Sequence, residues 1–220
     1  MIETASLEFL DQLIQNNDRE WFNKNKARYE KARENVLDFT SQVIKGLAEF
    51  DPTIPKDLNP KDCVMRIYRD IRFSNDKTPF KTNFGIAISA NGKNFNGPGY
   101  YVHIQPQVSF AAGGAWYPEA EQLKAIRQEI DYSSGEFLKI VTDPAFKSVF
   151  EQLDQEGALK TSPKGYPANH ELIKYLRLKS FSASAPLSDK ELCKSDSVKT
   201  ITSKLEKIYP LMVFLRGAIS

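Results

Sequence analysis

Cysteine is nearly absent from this chain of 220 residues: Cys63 and Cys193 are the only two. They lie far apart with no Cys-x-x-Cys spacing, so neither a disulfide framework nor a zinc ribbon is indicated, and reduced thiols are the simpler expectation. Histidine is equally scarce. His103 and His170 have no His-x-x-x-His spacing, which argues against a zinc hydrolase, and no metal is assigned. No stretch approaches the roughly 18 consecutive apolar residues of a membrane span. The first residues carry Glu3 and Glu8 where a secretory signal needs bases, so cytoplasmic residence is expected. A glycine-rich phosphate loop, a dinucleotide fingerprint and a Gly-x-Ser-x-Gly elbow are all missing, so no cofactor is expected.

What the chain does have is an ordinary globular balance. It is 41% apolar and 26% charged, with 30 basic and 28 acidic residues giving +2. That near-neutrality does not suggest a general nucleic-acid coat. A chain of this length buries about 70% of its unfolded surface and needs no covalent staple. No repeat or linker divides it, and a single α+β domain over residues 1–220 is the economical expectation.

Apolar Leu7, Leu10, Leu13 and Ile14 recur at helical spacing. Asn17 and Glu20 offer a capping box for a second, long helix whose stripe runs from Trp21 and Phe22 to Leu47, before Asp51-Pro52. From Cys63 to Phe73 the period becomes two, which predicts a strand. Further strands are expected at Phe84–Ser89, Tyr100–Gln105, Val108–Ala112 and Arg177–Ser182, the first three joined by short turns in an antiparallel meander. Helices are expected after Pro118, over Ser134–Val141 and Glu171–Leu176, from a Ser188/Glu191 capping box, and over Ser197–Tyr209 up to Pro210. The fold class predicted is α+β: an antiparallel sheet of about four to six strands packed with several helices, including a long N-terminal one.

The most informative stretch lies between Lys61 and Thr82. It holds six bases and three acids, a local +3 in an almost neutral chain. If Cys63–Phe73 is a strand, Arg66, Tyr68, Asp70 and Arg72 share one face, and two guanidinium forks can grip a phosphate, sulfate or carboxylate. Arg69 falls among Met65, Ile67 and Ile71, where an unpaired charge is costly, so it requires a partner. Lys77 and Lys81 belong to the turn after the strand, where ligand groups gather. Tyr101, His103 and Gln105 alternate on another strand. His103, and secondarily Asp70, are the candidate proton-transfer residues, and Tyr101 a candidate ligand contact. Three uses of this cluster stay open: an anionic small-molecule site, a non-enzymatic nucleic-acid or protein interaction module in which Tyr68, Tyr100 or Tyr101 stacks on bases, and a purely structural ion-pair network.

Asn16-Asn-Asp-Arg-Glu-Trp-Phe22, Arg66-Ile-Tyr-Arg-Asp-Ile-Arg-Phe-Ser-Asn-Asp-Lys-Thr-Pro-Phe-Lys-Thr82, Gly97-Pro-Gly-Tyr-Tyr-Val-His103, Gly113-Gly-Ala-Trp-Tyr-Pro118 and Pro163-Lys-Gly-Tyr166 together resemble the domain-of-unknown-function 2461 family. The resemblance spans nearly the whole chain. It implies a single-domain protein of this size and brings no established activity. Asn75 and Phe80 depart from the basic residue and the tyrosine that the pattern leads one to expect, whereas Arg66, Arg69, Asp70 and Arg72 match it.

Overall fold

The computed structural model describes all 220 residues. Its elements, in chain order, are α1 (Thr4–Gln15), α2 (Arg19–Lys24), α3 (Lys26–Leu47), β1 (Phe84–Ile88), β2 (Gly99–Ile104), β3 (Ser109–Ala115), α4 (Ala120–Tyr132), α5 (Ser134–Thr142), α6 (Pro144–Phe150), α7 (Ile173–Leu176), β4 (Phe181–Leu187), α8 (Asp189–Leu192), α9 (Ser197–Glu206) and α10 (Tyr209–Ala218), with a 3-10 turn at Pro60–Asp62. This is the expected α+β class. The four strands form one antiparallel sheet in the order β1-β2-β3-β4. No helix is long and apolar enough to cross a membrane.

The chain divides into two compact units. The first comprises Met1–Asn94, Tyr101–Ala111 and Pro186–Ser203. Here α1 packs on α3, with Leu7, Phe9, Leu10 and Leu13 facing Val36, Phe39 and Val43 as buried stripes. The long helix expected from Trp21 onward is broken at Asn25, so that α3 alone accounts for its 22-residue body. Its N-terminal neighbour α2 is capped by Asp18, which accepts from Trp21 N–H at 2.8 Å, in place of the Asn17 cap expected. Asn17 is employed elsewhere. Gly46 of α3 approaches Thr202 of α9 so closely that an added Cβ would stand 2.7 Å from its methyl.

The second unit comprises Phe95–Tyr100, Ala112–Ala185 and Lys204–Ser220. Helices α4, α5, α6 and α10 enclose a core in which Phe137 meets Phe214 at 5.5 Å and Tyr175 at 5.0 Å. Pro210 sits in the first turn of α10, where its missing N–H costs nothing, and separates that helix from α9. Gly114 in β3 has φ +124° and an added Cβ would lie 2.2 Å from the Phe181 carbonyl, so only glycine fits.

Strand β4 begins four residues later than Arg177 and runs to Leu187, with Pro186 inside it. It is an edge strand, which is where a proline can be accommodated. On its open side Asp154 N–H donates to the Ser182 carbonyl at 2.8 Å, and the Ser182 hydroxyl donates to the Asp154 carboxylate at 2.9 Å. Burial raises the Asp154 carboxyl above its ordinary range, against the hydrogen bonds from Ser182 and Ser184.

The expected strand at Cys63–Phe73 is not one. It survives as two isolated antiparallel bridges, Val64 to Ile86 and Tyr68 to Phe80. Val64 and Tyr68 are four residues apart on one side and Phe80 and Ile86 six apart on the other, so the register slips by two and no continuous ladder forms. Local pairing remains on either side of the slip. Met65 N–H donates to Gly85 C=O and Ala87 N–H to Cys63 C=O before it, Lys81 N–H to Ile67 C=O and Arg69 N–H to Pro79 C=O after it.

Candidate functional site

The segment from Arg66 to Lys81 is pinned from below by aromatic packing. Phe22 stacks on Phe80 with ring centres 3.9 Å apart, and Tyr68 tilts against both, at 6.0 Å from Phe22 and 5.4 Å from Phe80. Phe9, Trp21, Tyr29 and Phe84 extend this cluster. Asn17 adds a peptide-like clamp: its amide nitrogen donates to the Phe80 carbonyl at 2.9 Å, and its amide oxygen accepts from Phe80 N–H at 3.1 Å. The departure of Phe80 from tyrosine thus falls at a buried position whose ring is enclosed by Phe22 and Tyr68.

Although the backbone is irregular, Arg66, Tyr68, Asp70 and Arg72 are all exposed, while Ile67 is buried and Arg69 half-buried. Most of the cations are committed within the segment. Arg69, whose side chain is 26% exposed, bonds to Asp76 and to the Thr78 hydroxyl. Thr78 N–H donates to the Asp76 carboxylate, and these bonds together hold the Asp76 carboxyl down at about 2, the Thr78 backbone contributing most and Arg69 next. Arg72 reaches back to Asp70 with two bonds, Nε at 3.0 Å and Nη2 at 2.6 Å. That pairing depresses the Asp70 carboxyl, with a smaller push from the Arg66 charge. Lys77 donates to the Ile71 carbonyl at 3.0 Å. Asp70 is thereby an ionised acceptor and not a proton donor at neutral pH.

Arg66 and Lys81 differ from the others. Neither side chain makes a hydrogen bond or ion pair, and the half-buried Lys81 has its pKa lowered by burial and then by the charge of Arg66. The charge of Arg66 thus reaches both Lys81 and Asp70, and the Asp70 carboxylate is already engaged by Arg72.

On the adjacent sheet face Tyr101 and His103 of β2, with Gln105 just beyond its end, alternate as expected and meet Asn83. The Asn83 amide nitrogen lies 3.4 Å and the Tyr101 hydroxyl 3.2 Å from His103 Nδ1, and Nε2 lies 2.9 Å from the Gln105 side-chain oxygen. Donation from Asn83 makes Nδ1 the acceptor, so the proton resides on Nε2 and is donated to Gln105. The ring stacks on Phe110 at 4.8 Å. Burial lowers the His103 pKa, against a smaller opposing effect of Gln105, and raises that of Tyr101, which Asn83 opposes. Gly85 makes room for the Tyr101 hydroxyl, since a Cβ there would stand 2.8 Å from it. A neutral imidazole with both nitrogens engaged is a hydrogen-bonding wall more than a proton relay. Of the two residues that carry these arrangements, Asn83 has no signal in spacing or period, and Asn17 is marked by spacing only as a helix cap.

The remaining candidates lie outside this constellation. Cys63 is buried and its thiol is pushed up to about 11 by burial, leaving it inert as a nucleophile. His170 Nε2 lies 2.9 Å from Asp131 of α4, and its Nδ1 accepts from Leu172 N–H at 3.1 Å, so it ties the Pro163–His170 loop to that helix.

These elements, an antiparallel sheet with helices and a basic segment braced by an N-terminal aromatic cluster, belong to a recognised family. The chain is a member of the DUF2461 family of conserved hypothetical proteins, whose model matches residues 5–214. No match was found among curated proteins or among solved structures.

Proposed function

We propose that this protein binds a phosphorylated or otherwise anionic ligand, with Arg66 and Lys81 as the gripping cations. The support is electrostatic: Lys81 is half-buried within the field of Arg66, and neither side chain is hydrogen-bonded or ion-paired to a carboxylate, since Asp70, which feels the Arg66 charge, is engaged by Arg72. Like charges held together at the edge of a fold are offset by an anion between them, and a guanidinium with an ammonium suits phosphate. Arg69, Arg72 and Lys77 serve this site by shaping the segment, since Asp76, Asp70 and the Ile71 carbonyl occupy them. Tyr101, His103, Asn83 and Gln105 line the neighbouring sheet face as neutral hydrogen-bonding groups, and binding without turnover is the activity we assign.

Calorimetric titration with phosphorylated ligands tests this. Charge-assisted hydrogen bonds contribute about 1.5–3 kcal/mol each, so Arg66→Ala and Lys81→Ala should each weaken binding roughly ten- to a hundred-fold. Arg72→Ala should leave affinity within about two-fold, because its fork is held by Asp70. Lys81→Met supplies the control on stability. Removing a half-buried cation that lies in the field of another cation should leave the melting temperature unchanged or higher, and a lowered one would make Lys81 a structural residue.

A further inference from the structure

Tyr68 is the most exposed member of the aromatic cluster, half in solvent at 50%, while Phe22 and Phe80 behind it are buried. Its ring is braced from within by both, tilted at 58° to Phe22 and 52° to Phe80, so its outer surface is presented in a fixed attitude. Backbone pairing places it beside the proposed cations. Tyr68 is bridged to Phe80, the Ile67 carbonyl accepts from Lys81 N–H, and Arg66 and Tyr68 are exposed on either side of the buried Ile67. Arg66 and Tyr68 are only two residues apart in the chain, so the proposed cations and the exposed ring belong to one short stretch of surface.

Resting on the Arg66–Lys81 reading, we infer that the ligand is a nucleoside phosphate, its phosphate held by Arg66 and Lys81 and its base stacked on Tyr68. An aromatic surface held rigid before the ligand arrives loses little conformational entropy on binding, and every base has a π-face to offer it. Phosphate alone or a sugar phosphate would satisfy the cations and leave Tyr68 uncovered. A free nucleotide and the nucleotides of a single strand share this chemistry.

Calorimetry with AMP, ribose 5-phosphate and adenosine separates the contributions. The expected order is AMP about ten-fold tighter than ribose 5-phosphate, with adenosine weakest. Tyr68→Leu keeps an apolar side chain against Phe80 and should erase the AMP advantage while ribose 5-phosphate binds as before. Tyr68→Trp should preserve it. Circular dichroism of each variant establishes that it is folded. Equal binding of AMP and ribose 5-phosphate by the unaltered protein would overturn the base-stacking inference and leave the anion site standing. Failure of both to bind would remove the anion site itself. If oligothymidylate binds more tightly than AMP and gains affinity with length, the stacked base belongs to a single strand; if AMP is the tighter ligand, it belongs to a free nucleotide. Either result supports the stacking assignment.

Discussion

His103 illustrates how much a single residue's neighbours decide. Its folded-state pKa is lowered by burial, so the native protein binds fewer protons at this ring than the unfolded chain in the window just below the ordinary 6.5. The associated stability is fully present above 6.5 and is lost as pH falls through the folded value. Proton titration of the ring by NMR should give a midpoint below 6.5, and Gln105→Leu, which removes the one contact that raises it, should lower that midpoint further; a midpoint above 6.5 would contradict the neutral wall. Asp76 obeys the same sign at lower pH. Its carboxyl is held at about 2, so the Arg69–Asp76–Thr78 closure persists as pH falls below the ordinary carboxylate range and opens only as about 2 is approached. Chemical shifts of Thr78 N–H followed from pH 5 to pH 2 would check this. Phe73 stands at the opposite extreme, 96% exposed with only the Arg72 guanidinium 5.9 Å from its ring centre. Phe73→Ala should leave the melting temperature unaltered, because no buried contact is lost.

At the level of elements, the join between the N-terminal helices and the Arg66–Lys81 segment is the decisive arrangement. Phe22→Ala removes a buried ring stacked on Phe80 and should cost about 3–5 kcal/mol. Asn17→Ala removes both bonds to the Phe80 backbone and should cost about 1–3 kcal/mol, measured by urea denaturation. The helical stripes and the three hairpin-linked strands were legible because their apolar periods map directly onto burial. The Cys63–Phe73 alternation matches burial at Ile67 and exposure at Arg66, Tyr68 and Arg72, but it puts Phe73 on the apolar face and Val64 on the polar one, where Phe73 is exposed and Val64 buried, and it does not give the strand itself. Period two specifies which way side chains point and is silent about whether a partner stays in register, and here the partner gains two residues between Phe80 and Ile86. The strand expected at Arg177–Ser182 overlaps β4 only at Phe181 and Ser182, and β4 continues through Pro186, which an edge strand tolerates. Long-range pairs such as Asn17 with Phe80, or Asn83 with His103, leave no periodic trace.

For the molecule as a whole, near-neutrality limits what salt can do. One phosphate held by Arg66 and Lys81 should lose affinity only several-fold between 50 and 200 mM salt, whereas a protein contacting many phosphates loses about 10³-fold or more. A steep slope would move the protein toward extended nucleic-acid binding.

The proline in β4 has its own consequence for how copies of this chain behave in a crowded solution. Because the Ser182 carbonyl faces outward to Asp154, period two turns the backbones of Ser184 and Pro186 to the same side of the strand. Pro186 has no N–H to offer there, and Asp154 occupies the acceptor at Ser182. A strand from another molecule arriving at this edge would find a donor gone at one end and a charged loop at the other, so sheet-to-sheet aggregation is blocked where the fold is otherwise open to it.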